Sequence, residues 1–308
     1  MNFYHYSNGK ILLTAEYLVM HGAKALAIPV NYGQDLNVSN LKEKNRLRWI
    51  AYEFSDTWFE ATFQLPDLRV IQSTSSATAE YLKNILLNAK LLHGGFLNAS
   101  GGMLAETKTN FPINWGLGTS STLINNIAAW AQVDPFKLHN KVSKGSGYDI
   151  ACAGHNSPIY YQKTSDNERL VKIINLGSTI KEHSYFIYSG KKQATESQLN
   201  KINWDTYDYK LAVEEVSAIT DKVTKCDNVK DLIQLVYQHE QLMRKVLKKD
   251  SVAGQFESFR GAIKSLGAWG GDFFLAVSEM PESYIRQYFE QFGLSVIIPF
   301  NQMIKHKK

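Results

Sequence analysis

Residues 111–122 read Phe-Pro-Ile-Asn-Trp-Gly-Leu-Gly-Thr-Ser-Ser-Thr and run directly into the helical pattern of residues 123–132. Two glycines two positions apart, then four consecutive hydroxyl residues at a helix start, constrain this stretch more than any other in the chain. Gly116 and Gly118 let the backbone approach a ligand closely, and the free N–H groups of the first helical turn point at an anion. The same residues also describe a glycine turn in which Thr119 or Ser120 merely caps a helix, a common arrangement. The stretch alone leaves both readings open.

At 308 residues the chain is long enough for one large domain or two smaller ones. Hydrophobic residues make up 44% and charged residues 20%, so a packed fold is expected throughout. The 34 basic residues exceed the 29 acidic ones by too little to make nucleic acid the default partner, although a mildly basic surface suits small anionic substrates. Two cysteines, Cys152 and Cys226, are too few for a disulfide framework or a four-ligand zinc site, and predict a reducing, cytoplasmic setting. The most apolar early run, residues 11–20, is interrupted by Glu16, so neither a signal peptide nor a membrane partner is expected.

The chain in order predicts an α+β protein. Short strands are expected over residues 2–6, 10–17 and 25–30, with Ser7-Asn8-Gly9 and His21-Gly22 as turns. Within them Lys10 reads as a surface charge, whereas Glu16 lies in a half-buried segment where a carboxylate needs a partner. Alternating apolar residues over 36–64 predict antiparallel strands, and Leu82, Ile85, Leu86, Ala89 and Leu92 a helix ended by a left-handed cap at His93-Gly94-Gly95. A strand pair near residues 96–98 and 102–107 then leads to the glycine loop. In Lys144-Gly145-Ser146-Gly147-Tyr148-Asp149, the aspartate is expected in the first turn of a short helix, where the helix dipole stabilises it. The polar loop at 163–169 is the expected domain boundary, dividing the chain into 1–165 and 166–308. Beyond it come strands, a basic loop at 190–195, two amphipathic helices, a second glycine loop at 264–272, and a closing strand, helix and strand. His239 lies on the apolar stripe of the second helix and reads as a core-edge residue.

Four segments resemble, in order, the motifs of the family of small-molecule kinases named after galactokinase, homoserine kinase, mevalonate kinase and phosphomevalonate kinase, the GHMP kinases. They are GKILLTAEYLVMHGAKALAIPV, GLGTSS, GSGYDIA and KSLGAWGGD. The resemblance spans most of the chain and is greatest to phosphomevalonate kinases, which share the GK…EY…V opening and a loop similar to residues 190–195. It implies an N-terminal domain like the ribosomal protein S5 domain 2, a C-terminal ferredoxin-like domain, and ATP with Mg²⁺ as cofactors. GLGTSS lacks the Gly-Lys-Ser/Thr of a P-loop, so the positive charge would come from Lys10.

The resemblance also implies the roles of individual residues. Gly116, Leu117, Gly118, Thr119, Ser120 and Ser121 would wrap the ATP phosphates, with Ser120 helping to hold Mg²⁺. Asp149 would accept the proton of the substrate hydroxyl, and Lys10 would lower that carboxylate's pKa and steady the developing alkoxide. Glu16, Ser146, Gly147, Gly267, Gly270, Gly271 and Asp272 would belong to the substrate side, while Lys191, Lys192 and Thr195 would meet an anionic substrate group. The implied activity is transfer of the ATP γ-phosphoryl group to phosphomevalonate or mevalonate, in isoprenoid precursor synthesis.

The pattern departs from the family at Asn8, where proline is usual, and at Trp269, where glycine is usual. Residues 123–144 form a short spacer before Asp149, and Leu138 stands eleven residues before it, where mevalonate kinases carry a metal-binding glutamate. Trp269 and the short spacer favour the alternative of a non-catalytic member that binds nucleotide or metabolite, whereas Lys10, Ser120 and Asp149 together favour the enzyme. The sequence leaves a homodimer open.

Overall fold

In the computed structural model, which describes residues 2–98, 101–165, 168–190, 209–267, 269 and 271–305, β1 (Phe3–Leu12) runs straight through Ser7, Asn8 and Gly9. The turn expected there does not form. Ser7 is fully buried, donates its hydroxyl to Asn126 at 2.6 Å and accepts the Asn125 amide at 2.8 Å, so its polarity is spent on a later helix instead of on a turn.

The chain forms two units, each assembled from separate stretches. The first comprises Met1–Gly9, Tyr32–Ile113 and Leu117–Gly154; the second comprises Lys10–Asn31, Asn114–Gly116 and His155–Lys308. This differs from a single cut between residues 165 and 166. Strand pairing gives the reason: Ala25–Ala27, at the start of β2 (Ala25–Leu41), pair antiparallel with residues 159–161, so the segment after Gly9 folds with the C-terminal part of the chain.

In the first unit β2 is followed by β3 (Arg46–Glu53), β4 (Asp56–Gln64), β5 (Arg69–Ser73), α1 (Ser76–Leu92) and β6 (Gly102–Thr109). The strand order is β5-β4-β3-β6-β2, with β3 and β6 parallel and the other pairs antiparallel. Three helices complete the unit: α2 (Thr119–Ala131), α3 (Pro135–Val142) and α4 (Tyr148–Ala153). Alternate strand residues such as Leu47, Trp49, Phe59 and Phe63 share one core with Leu82 and Ile85 of α1, Ile124 and Ile127 of α2, and Leu138 of α3. Helix α1 ends without the expected left-handed cap. His93 is extended (φ −135°) and its N–H closes on the Ala89 carbonyl, so glycine is not needed there.

The second unit continues with β7 (Ile159–Lys163), β8 (Arg169–Ile173), α5 (Ser178–Glu182), β9 (Ser184–Tyr188), α6 (Tyr209–Lys225) and α7 (Val229–Leu247). It closes with β10 (Ala262–Ser265), β11 (Phe273–Val277), α8 (Glu282–Glu290), β12 (Ile297–Pro299) and α9 (Phe300–Met303). Its antiparallel sheet has the order β10-β11-β9-β12. With α6 and α7 between its first two strands and α8 between its last two, this is the expected ferredoxin-like βαββαβ topology. Tyr185, Ile187, Phe274 and Ala276 face a core completed by Ile285 and Phe289 of α8. Strand β10 breaks the binary pattern because it buries Lys264 and Ser265, and so it reads as loop in the sequence. Among the described residues no helix is long and apolar enough to cross a membrane.

Candidate functional site

Helix α2 begins on a residue that cannot cap it with a side chain. Gly118 occupies the left-handed region (φ 97°), as does Gly116 (φ 65°), and no side-chain hydrogen bond comes from the cap position. A glycine cap leaves the positive end of the helix to an external anion. The hydroxyls that follow divide by burial. Ser121 donates to the Gly118 carbonyl at 2.8 Å and Thr122 to Gln34 Oε1 at 2.8 Å, both from buried positions, whereas Ser120 is exposed and Thr119 half-buried. Leu117 is buried between the two glycines and anchors the loop.

Helix α4 begins in the same way, on Gly147 at φ 88°. Asp149 lies in its first turn, half-buried, and its Oδ1 accepts the Ile150 N–H at 3.0 Å. Ser146 is buried beside it in sequence, and α4 packs against α2. Gly118, the hydroxyls after it and Asp149 therefore belong to one helix pair in the first unit. Cys152 is buried on α4, consistent with packing. Leu138 is a core residue of α3, so the carboxylate of mevalonate kinases has no counterpart at that position.

The second unit gathers another set. Lys10 Nζ donates to the Gly116 carbonyl at 2.9 Å, and a methyl group on Gly116 would overlap the Asp272 carboxylate. Lys10, Gly116 and Asp272 are thus grouped at one point, where any side chain on residue 116 would have to displace the Asp272 carboxylate. Trp115 lies edge-on to Phe273 at 5.4 Å and near Tyr188 at 6.0 Å, while Ser189 N–H donates to the Asp272 carbonyl at 2.8 Å. Burial and the nearby Asp272 carboxylate push the Tyr188 phenol upward. Gly267 is exposed in the left-handed region (φ 58°), and Gly271 is buried. Trp269 also adopts positive φ (57°), with its indole buried and donating to the Asp250 carbonyl at 3.2 Å. Lys191, Lys192, Thr195 and Gly270 lie outside the described residues.

Glu16 has found the partner its burial demands. Lys264 Nζ stands 2.5 Å from one of its oxygens and His239 Nε2 3.3 Å from the other, all three side chains being at most 3% exposed. Burial alone would raise the Glu16 carboxyl, but the Lys264 ammonium beside it outweighs burial and the carboxyl comes down to about 2. Its carboxylate is thus engaged by protein partners, whereas the family resemblance implies a place on the substrate side. Beside it Glu240 accepts the Ser265 hydroxyl at 2.9 Å, and burial pushes its carboxyl up to about 7. Burial, followed by the Lys264 charge, lowers His239. Sequence reading missed Lys264 and Glu240. Lys264 was visible as the first residue of KSLGAWGGD, but nothing in the pattern marks Glu240.

Among the described residues no three His, Cys, Asp or Glu side chains gather as a cation cage.

No protein-family model and no curated protein matches the chain. Its fold, however, is that of the GHMP kinases, and solved structures of that class superpose on nearly all of it. The mevalonate kinase of Methanococcus jannaschii does so with a TM-score of 0.69 at 13% identity, covering 97% of each chain. The phosphomevalonate kinase of Streptococcus pneumoniae, solved with phosphomevalonate and AMPPNP, gives 0.71 at 13% identity over 96% of this chain and 98% of its own. The galactokinase of Lactococcus lactis, solved with galactose, gives 0.67 at 12% identity over 99% and 93%.

Proposed function

We propose that this protein is an ATP-dependent small-molecule kinase whose acceptor is phosphomevalonate, with mevalonate next, in isoprenoid precursor synthesis. The observation that carries the reading is the pairing of two glycine-capped helices, α2 and α4, one offering an open N-terminus with an exposed Ser120 hydroxyl and the other a half-buried Asp149 in its first turn. Phosphoryl transfer asks a protein chiefly to position groups and neutralise charge. The α2 N–H groups would bind the transferring phosphates. The acceptor hydroxyl oxygen would form the new P–O bond as the bond to the β-phosphate oxygen breaks, ADP leaves, and the hydroxyl proton passes to Asp149. Mg²⁺, held through the phosphates and Ser120, would neutralise charge on the oxygens. Lys10, Gly116 and Asp272 would order the loop that leads into α2. Lys191, Lys192 and Thr195 are assigned to an anionic group of the acceptor.

The second reading, a nucleotide- or metabolite-binding protein without turnover, is favoured by Leu138 in the core and by Trp269 in the third motif. The two are separated by a coupled ADP-release assay with ATP and Mg²⁺ against phosphomevalonate, mevalonate, homoserine and galactose, run beside Asp149→Asn. Turnover with phosphomevalonate or mevalonate, lost in the variant, supports the kinase reading. ATP binding without turnover on any acceptor favours the second.

A further inference from the structure

The segment that follows Lys10 holds an uncommon backbone. Ala15 and Tyr17, flanking Glu16, both occupy positive φ, at 65° and 62°, a region that side chains other than those of Asn and Asp rarely adopt. Such conformations persist only where the surroundings over-determine them. Here the surroundings are a buried polar cluster drawn from three elements. Ala15 N–H donates to His239 Nε2 of α7 at 3.2 Å, Glu16 pairs with Lys264 of β10, and Thr14 accepts the Thr220 hydroxyl of α6 at 2.7 Å. Within the cluster Lys264 Nζ also donates to the Ser265 carbonyl at 2.9 Å, while Glu240 receives Ser265 and stands 3.9 Å from His239 Nδ1. Leu13, Leu235, Val236 and Leu275 surround His239 and Lys264 with apolar walls, so the charges see little water. A lone buried charge there would be far too costly to keep, which makes the pairing obligatory.

The two ends of this cluster lead to the residues grouped around Gly116. Six positions before Glu16 stands Lys10, and β10 runs from Lys264 into the loop that ends at Asp272. We propose that Glu16, His239 and Lys264 are positioning residues: their buried contacts hold the strained Ala15–Tyr17 turn and tie the Lys10 segment to β10, so that the Lys10 ammonium and the Asp272 carboxylate keep their common place at Gly116. The consequence for catalysis rests on the kinase reading above, but the positioning itself does not.

Two variants test it. Glu16→Gln with Lys264→Met replaces the ion pair by neutral groups and leaves no uncompensated charge. His239→Leu removes the acceptor of the Ala15 N–H in a site lined by apolar side chains, so the protein folds even where the pair replacement does not. The readout is the NMR signal of Lys10 in reductively ¹³C-methylated protein, assigned with Lys10→Arg. In both folded variants it is expected to move to the position of a freely exposed lysine. Where the wild type turns over, kcat is expected to fall at least about tenfold with KM for ATP unchanged, since misplacement of a catalytic group costs rate more than binding. A folded variant with the Lys10 signal at its wild-type position overturns the proposal, as does a variant with unaltered kcat. A wild-type protein inactive on every acceptor would sink the kinase reading and leave the Lys10 measurement in force.

Discussion

At the scale of single residues, the buried carboxyls give the most direct tests. Glu240 is raised from its ordinary value to about 7, so the folded state binds a proton there more tightly than the unfolded chain does. The stability this group contributes is fully present below about pH 4.5 and is lost as pH rises through about 7. Glu240→Gln, which mimics the protonated acid and can still accept from Ser265, should match the wild type at pH 4.5 and be more stable at pH 8, by about 3 kcal/mol from a shift of that size. Urea melts of both proteins at the two pH values decide it, and equal stability at pH 8 would refute the assignment. Glu16 behaves oppositely: its contribution is present above about pH 4.5 and disappears as pH falls towards 2. Trp269 poses a different question, because glycine there would relieve a positive φ that costs about 1–3 kcal/mol. Its buried indole outweighs that relief, since losing a buried tryptophan costs about 3–5 kcal/mol. Trp269→Gly should therefore be less stable in the same melts; a rise in stability would show that strain dominates. Gly116→Ala, in contrast, should leave the fold intact. The added methyl displaces the Asp272 carboxylate, and if the proposed kinase uses that carboxylate, a displacement of about 1 Å costs about 100-fold in turnover. An alanine variant with wild-type kcat would remove Gly116 and Asp272 from the site.

At the scale of elements, the sequence was readable wherever periodicity and glycine chemistry agree. The helices α1, α6, α7 and α8 follow their apolar stripes, and Gly116, Gly118 and Gly147 each occupy the left-handed conformation that glycine favours. Legibility failed where a polar side chain is buried. Ser7 has turn-forming character, but its partners are two asparagines more than a hundred residues away. Lys264 looks like a surface lysine until Glu16, 248 positions distant, is placed against it. Local pattern carries no record of such distant pairings. The short α3 falls between these cases. Asp134 caps it by accepting the Phe136 and Lys137 N–H groups at 2.8 Å, and Leu138 pins it to the core. Asp134→Ala should cost about 1 kcal/mol, the usual worth of such a cap. No change in a denaturant midpoint would mean that Leu138 alone holds the helix.

At the scale of the whole molecule, the chain's division into units makes a prediction that a simple two-domain cut would not. The loop at 163–169 looks like a boundary, yet the segment Lys10–Asn31 belongs to the same unit as the residues after it. Expressing residues 155–308 alone would remove Glu16 from Lys264, Thr14 from Thr220, and Lys24 from Asp221, a pair 2.7 Å apart. The Lys24–Asp221 pair, still partly open to solvent, is worth little. The first loss is different, because Lys264 would keep its buried place only as an uncompensated cation, and breaking such a pair costs about 3–5 kcal/mol, a large share of the 5–15 kcal/mol that stabilises an ordinary domain. Ala25–Ala27 would also leave the β7 edge without its partner strand. The fragment is therefore expected to lack a cooperative thermal transition and to show collapsed amide dispersion by NMR. Supplying residues 10–31 at its N-terminus through a short glycine-serine linker should restore both. If the fragment without that segment melts cooperatively, the N-terminal stretch is an accessory of the second unit and not part of its core, and the role assigned to Glu16 falls with it.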